Sequence, residues 1–110
     1  MTTARPYSKY AQEAVKLLGR QIRLARKHRR WSESELAERA GIARATLQRI
    51  EKGDMACTIG LVFEVATLVG IKLFDADREV LQWRIAQTEE RIALLPKHIH
   101  PARKAVDDDF

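Results

Sequence analysis

The stretch that decides the fold runs from Trp31 to Gly53 and reads WSESELAERAGIARATLQRIEKG. Ser32-Glu33-Ser34-Glu35 is a capping box, in which the Ser32 hydroxyl accepts from the Glu35 amide and the Glu35 carboxylate reaches back to the Ser32 amide. Trp31 stands just before the cap, where a hydrophobic staple belongs. Leu36, Ala37 and Ala40 then share one face of a short helix. Gly41 ends it, because glycine accepts the left-handed conformation of a tight helix exit. A second helix starts near Ala43 and runs to Lys52, turning Leu47 and Ile50 inward, and Gly53 stops it. Only Gly41 and Ile42 join the two. That link is too short for an antiparallel pair, so the helices must cross steeply and the second can project from the domain.

Outward from this unit the pattern stays helical. Residues 1–7 read as a loose arm, with Pro6 shortly before an N-cap at Ser8. From Ser8 to about His28, Ala11, Ala14, Leu18, Ile22 and Ala25 recur at spacings of three and four. Beyond Gly53, Thr58 is placed to cap a helix over Ile59 to Val69, stopped by Gly70, after which Ile71 and Leu73 fold back on the core. Asp75 to Leu95 reads as a long fifth helix, with Asp75, Asp77 and Glu79 in its first turns to complement the macrodipole. Pro96 ends it, and residues 96–110 read as an irregular tail. No strand pattern and no internal repeat is visible, so the class is all-α.

The 110 residues suit one domain with an appended element, and 45% hydrophobic residues are enough for a single core. Charged residues reach 32% and the net charge is +5. The charge is unevenly spread: residues 1–74 hold 14 Lys and Arg against 7 Asp and Glu, and residues 75–110 hold 6 against 8. The first part is the one drawn to a polyanion. Cys57 is the single cysteine, with no metal-ligand spacing around it, which fits a reduced, intracellular setting. No apolar run approaches a membrane span. Met1 to Ser8 lacks the apolar stretch of a signal peptide. The expected location is cytoplasmic and nucleoid-associated.

The ordered set Leu36-Ala37, Gly41-Ile42, Thr46-Leu47, Ile50-Glu51 and Gly53, followed by Val65-Ala66 and Val69-Gly70-Ile71, resembles the Xre/Cro-type helix-turn-helix family, which includes phage repressors and many antitoxins. The resemblance covers about Gly19 to Phe74. It implies a five-helix, lambda-repressor-like protein whose helix-turn-helix domain, residues 8–74, places its third helix in the major groove of DNA, with the long fifth helix following. On that footing Arg44, Ala45, Gln48 and Arg49 would read bases: Arg grips guanine O6 and N7, Gln pairs with adenine, and the Ala45 methyl meets a thymine methyl. Thr46, Lys52 and backbone amides near Gly53 would contact phosphates. Arg20, Arg23, Lys27, Arg29 and Arg30 are further phosphate candidates, since residues 20–30 carry six basic residues and no acid. Arg26 and Glu51 fall where the family places an ion pair joining the first and third helices. Two positions depart from the pattern. Glu33 stands where a phosphate-binding Gln is common, and its charge would repel a phosphate. Ala43 stands where Ser or Thr caps the recognition helix, which forgoes about 1 kcal/mol.

Such a domain normally binds two half-sites as a homodimer on a palindromic operator. Residues 75–95 offer a seam, because Leu81, Ile85, Thr88, Ile92 and Leu95 follow heptad spacing. Val80, Trp83 and Leu94 broaden it. Leu61 and Leu68, with Phe74, are expected to add an apolar surface that needs a partner. The tail, basic and then acidic through Asp107-Asp108-Asp109-Phe110, resembles that of HipB-like antitoxins paired with HipA-type serine/threonine kinases. That resemblance implies an antitoxin that restrains a kinase toxin and represses their shared operon. A free-standing phage-type repressor, and an adaptor that has lost DNA binding, are the alternatives. His98 and His100 make a weak metal pattern, and no nucleophile-base pair or phosphate loop can be named. Neither an enzyme nor a cofactor or metal site is therefore expected.

Overall fold

The computed structural model describes residues 5–99 and 101. Among them are five α-helices and no strand: α1 (Lys9–His28), α2 (Glu33–Ala40), α3 (Arg44–Lys52), α4 (Ile59–Leu68) and α5 (Arg78–Ala93). A 3-10 turn, Leu73–Asp75, lies between α4 and α5. The all-α, five-helix expectation therefore holds over the described residues. The chain divides into two compact units between Asp75 and Ala76, the first holding α1 to α4 and the second α5. The tail beyond Pro101 and the first four residues of the arm lie outside the described residues.

Local chemistry sets the helix ends. Ser8 accepts from the Ala11 amide at 3.1 Å and starts α1. At α2 both halves of the capping box are made: the Ser32 hydroxyl accepts from the Glu35 amide at 3.1 Å, and the Ser32 amide donates to Glu35 at 2.7 Å. Gly41 and Gly53 close α2 and α3 at φ 70° and 84°, in the left-handed region that glycine enters at least cost. Ala43 caps α3 with its backbone alone, as a methyl must.

Two ends depart from the sequence reading. Thr58 occupies the N-cap of α4, but its hydroxyl makes no capping bond. The helix is held instead by burial of Val65 and Ala66. The fifth helix does not begin at Asp75. Phe74 and Asp75 sit at φ 58° and 51°, a conformation a right-handed helix cannot propagate. Asp77 is the N-cap, accepting from the Val80 amide at 3.1 Å, and only Glu79 remains as an acid in the first turn.

In the first unit the core is Ile22 of α1, Leu36 and Ala37 of α2, Leu47 and Ile50 of α3, and Val65, Ala66 and Val69 around the end of α4. Trp31, Ile42, Ile71 and Leu73 pack against it from the connections. Leu61 and Leu68 pack there too, half-buried. They flank the α4 core face, because a helix this apolar buries more than one narrow stripe, and each leaves part of its surface uncovered. Phe74 meets Phe63 edge to face, with ring centroids 6.2 Å apart.

α3 packs against both α1 and α2. Its approach to α1 depends on two glycines. A Cβ on Gly19 would lie 2.5 Å from the Ile50 carbonyl oxygen, and one on Gly53 2.7 Å from Lys16 Cα. Either contact would force the helices apart.

In the second unit α5 has no buried residue; Leu81 is half-buried, and Trp83, Ile85, Ile92 and Leu95 are exposed. The seam residues Leu81, Ile85, Thr88 and Ile92 recur on one side of the helix, while Leu95 lies past its end, since α5 stops at Ala93 with Leu94 as C-cap and not at Leu95 as expected. Val80 and Trp83 lie on another side, so apolar groups are spread around the axis.

Candidate nucleic-acid interface

With Leu47 and Ile50 turned into the core, helical periodicity leaves Arg44, Ala45 and Arg49 exposed and Thr46 and Gln48 half-buried. The outward face of α3 thus carries the four side chains expected to read bases. Three of them are held by acids. Glu33, at the first position of α2, accepts from Arg44 Nε and from Gln48 Nε2, each at 3.0 Å and both on Oε1. Asp54, just beyond Gly53, accepts from Arg49 Nε at 2.8 Å and from the Ala56 amide at 2.8 Å. The Gln48 bond, then the Arg44 bond, hold the Glu33 carboxyl below its usual range. The Arg49 bond does the same for Asp54. Both acids are therefore ionised at neutral pH.

Behind this face the scaffold is fastened by a second set of cations. Arg26 and Glu51 lie 6% and 4% exposed and form a two-pronged ion pair, Nε to Oε2 at 2.7 Å and Nη2 to Oε1 at 3.0 Å. Arg26 Nη1 also donates to the Trp31 carbonyl at 3.0 Å. One guanidinium thereby ties α1, the entry to α2, and α3. The hydrogen bond to Glu51 raises the Arg26 pKa further, against the opposing effect of burial.

Several residues expected to meet phosphates have work inside the fold. Arg20 Nη1 donates to the Glu51 carbonyl at 2.7 Å, and Arg29 Nε to the Val69 carbonyl at 3.0 Å. Both carbonyls belong to the last turns of helices, where oxygens lack an intrahelical donor and the dipole favours a cation. Arg29 also lies over the Trp31 ring, 5.2 Å from its centroid, with Arg39 at 4.2 Å. The Gly53 amide is spent on the Ile50 carbonyl at 3.1 Å. Arg20, Arg29 and the Gly53 amide thus each make a contact within the fold, and the Arg20 and Arg29 side chains are nonetheless exposed. Arg23, Lys27, Arg30 and Lys52 are exposed. Arg23 and Lys52 line one polar cleft of about 160 Å³ with Glu33, Gln48 and Glu51, which brings cations beside Gln48, one of the residues expected to read bases.

Sequence reading missed Asp54 altogether, and it read Glu33 only as a lost phosphate contact. Glu33 lies 11 and 15 residues from its two partners, beyond any local pattern. Among the described residues no cluster of His, Cys, Asp and Glu is placed to hold a metal. Burial pushes the Cys57 thiol up, away from the reactive thiolate. No described helix is long and apolar enough to cross a membrane.

No curated protein and no solved structure matches the chain. A family model described as helix-turn-helix matches residues 22–75, a stretch running from the core residue Ile22 to the boundary of the first unit. The capped α2, the glycine turn and the polar, basic outward face of α3 all lie inside that match, so residues 22–75 are similar to the helix-turn-helix family.

Proposed function

We propose that this chain is a sequence-specific transcriptional repressor that inserts α3 into the major groove and reads base edges with Arg44, Gln48 and Arg49. The observation that carries this reading is the outward face of α3, where two guanidinium groups and an amide are held in place by Glu33 and Asp54. Each arginine is gripped through Nε, so its two terminal Nη groups are the pair presented for guanine O6 and N7. Ala45 between them is small enough for a thymine methyl to approach. Arg23, Lys27, Arg30, Lys52 and Thr46 supply the phosphate contacts that set affinity and make it fall with salt.

The working form in this proposal is a homodimer on a palindromic operator, its half-sites about 34 Å apart or a multiple of that. α5 supports it. A 16-residue helix with no buried side chain is marginal by itself, and heptad spacing along Leu81, Ile85, Thr88, Ile92 and Leu95 suits a second copy. An antitoxin role with a HipA-like kinase partner is the narrower form of the same reading. It rests on the tail, most of which lies outside the described residues, and the reading frame beside the gene separates it from a free-standing repressor.

The test is selection of binding sites from a randomised duplex library, followed by titration of the selected site and a scrambled duplex. Arg49→Ala should weaken the selected site by about 1–3 kcal/mol and leave scrambled DNA nearly unchanged. An equal loss on both DNAs would remove Arg49 from base reading. Selection of no sequence at all would favour the adaptor that has lost DNA binding.

A further inference from the structure

Two side chains on the face of α3 that meets DNA in the proposed function are bonded to an acid from α2. Glu33 uses one carboxylate oxygen to accept from both Arg44 and Gln48, which stand one helical turn apart on the same face. We propose that Glu33 is a specificity-determining positioning residue, holding Arg44 and Gln48 in base-reading poses while its charge penalises docking on DNA that does not reward those poses. The inference rests on the reading of α3 as the recognition helix.

Three features lead to it. The first is what each bond leaves over. Arg44 is engaged through Nε, and its two Nη groups form the fork that matches the Hoogsteen edge of guanine. Gln48 gives one N–H to Glu33 and keeps its carbonyl and a second N–H, the acceptor and donor that adenine requires. Without an acceptor behind it, an arginine on an exposed helix turns freely and reaches phosphates of any sequence. The second is the electrostatic setting. Glu33 is 29% exposed and lines one cleft with Arg23 and Lys52, the cations placed for the DNA backbone. A phosphate drawn in by that pair arrives beside a carboxylate that repels it. Base contacts offset the repulsion at a matching site and have nothing to offset it with elsewhere. The third is that the acid is redundant for the helix it starts. The α2 capping box is complete through Ser32 and Glu35, so Glu33 is not needed to close the helix end.

The experiment uses the full chain and Glu33→Gln, which keeps the size and an acceptor oxygen and removes the charge. Wild type first selects its sites from a randomised duplex library. Both chains are then titrated by fluorescence anisotropy against the selected site and a scrambled duplex at two salt concentrations. Thermal melting confirms that both remain folded. The expected result is that Glu33→Gln binds scrambled DNA about 5-fold to 10-fold more tightly at the lower salt, while the selected site changes by less than about twofold. A second selection with Glu33→Gln should lose preference at the base position that Arg44→Ala also loses. Equal tightening on both DNAs, or no change on either, overturns the proposal while leaving the recognition helix in place. Failure of wild type to select any sequence defeats the reading of α3 itself, and this role with it.

Discussion

Replacing Glu51 with alanine is expected to cost the first unit about 3–5 kcal/mol, because it strands a guanidinium that the fold has removed from water. Arg26 is 6% exposed and directs two of its nitrogens at Glu51, at 2.7 and 3.0 Å. After the substitution only the Trp31 carbonyl, 3.0 Å from Nη1, remains to it. A unit of this size has roughly 4–11 kcal/mol of stability at 0.05–0.15 kcal/mol per residue, so the loss is a large share of the total. At about 4–8 °C per kcal/mol, melting should fall by at least about 12 °C. Urea unfolding followed by circular dichroism in the helix band, at neutral pH, measures it directly. The informative comparison is the double variant Arg26→Met/Glu51→Leu, which removes both charges and keeps the volume. It should recover most of the loss and stay below the parent by about 1 kcal/mol, the cost of leaving the Trp31 carbonyl without its donor. A single variant that loses under about 1 kcal/mol would show that water reaches the pair, and would refute the burial argument. A double variant as unstable as the single would refute it in another way, by showing that the geometry of the pair and not its uncompensated charge carries the cost.

Four further outcomes follow from local geometry. Gly19→Ala should destabilise by about 1–3 kcal/mol despite its better helix propensity, because the new methyl meets the Ile50 carbonyl oxygen at 2.5 Å. Gly41→Ala, with φ 70° and nothing within 4 Å, should cost only the backbone term of about 1–2 kcal/mol; thermal melts of the two separate collision from strain. Ala43→Ser should stabilise by about 1 kcal/mol in the same assay, since the backbone at Ala43 is already extended at φ −69° and ψ 149° and needs only a side-chain oxygen to cap α3. Acid should destabilise the fold: Glu33, Glu35 and Asp54 are all held below their usual carboxylate range. Folded pKa values below unfolded ones mean that their contribution is complete above the unfolded values and is lost as pH falls through the folded ones. A melting temperature that does not fall as the pH is lowered below about 4 would contradict those three hydrogen-bonded carboxylates.

Much of the interface was legible because it is local. The Ser32 capping box, the left-handed Gly41 and Gly53, and the inward Leu47 and Ile50 depend on residues no more than about a turn apart. From them the steep crossing of α2 and α3 follows. The Arg26–Glu51 pair was reached only through the family resemblance, since 25 residues separate its partners. Leu61 and Leu68 show the opposite limit. Apolarity marked them for burial, but whether the covering surface was their own core or another molecule's depended on how α4 lies.

The sequence by itself determined where the helices of the first unit begin and end, which faces turn inward, and that its charge suits a polyanion. Each of these is settled by hydrogen bonds and periodicity within one or two turns of chain. Only the tertiary structure decided what the cations do. Arg20 and Arg29 look no different in sequence from Arg23 and Lys27, yet they close the ends of α3 and α4 across 31 and 40 residues. Glu33 reaches 11 residues to Arg44, and Arg30 and Phe74 adopt left-handed backbone where the sequence offers no glycine. A long charged side chain reaches donors and acceptors from any helix packed beside it, and the packing of apolar faces, made for other reasons, chooses which one it meets.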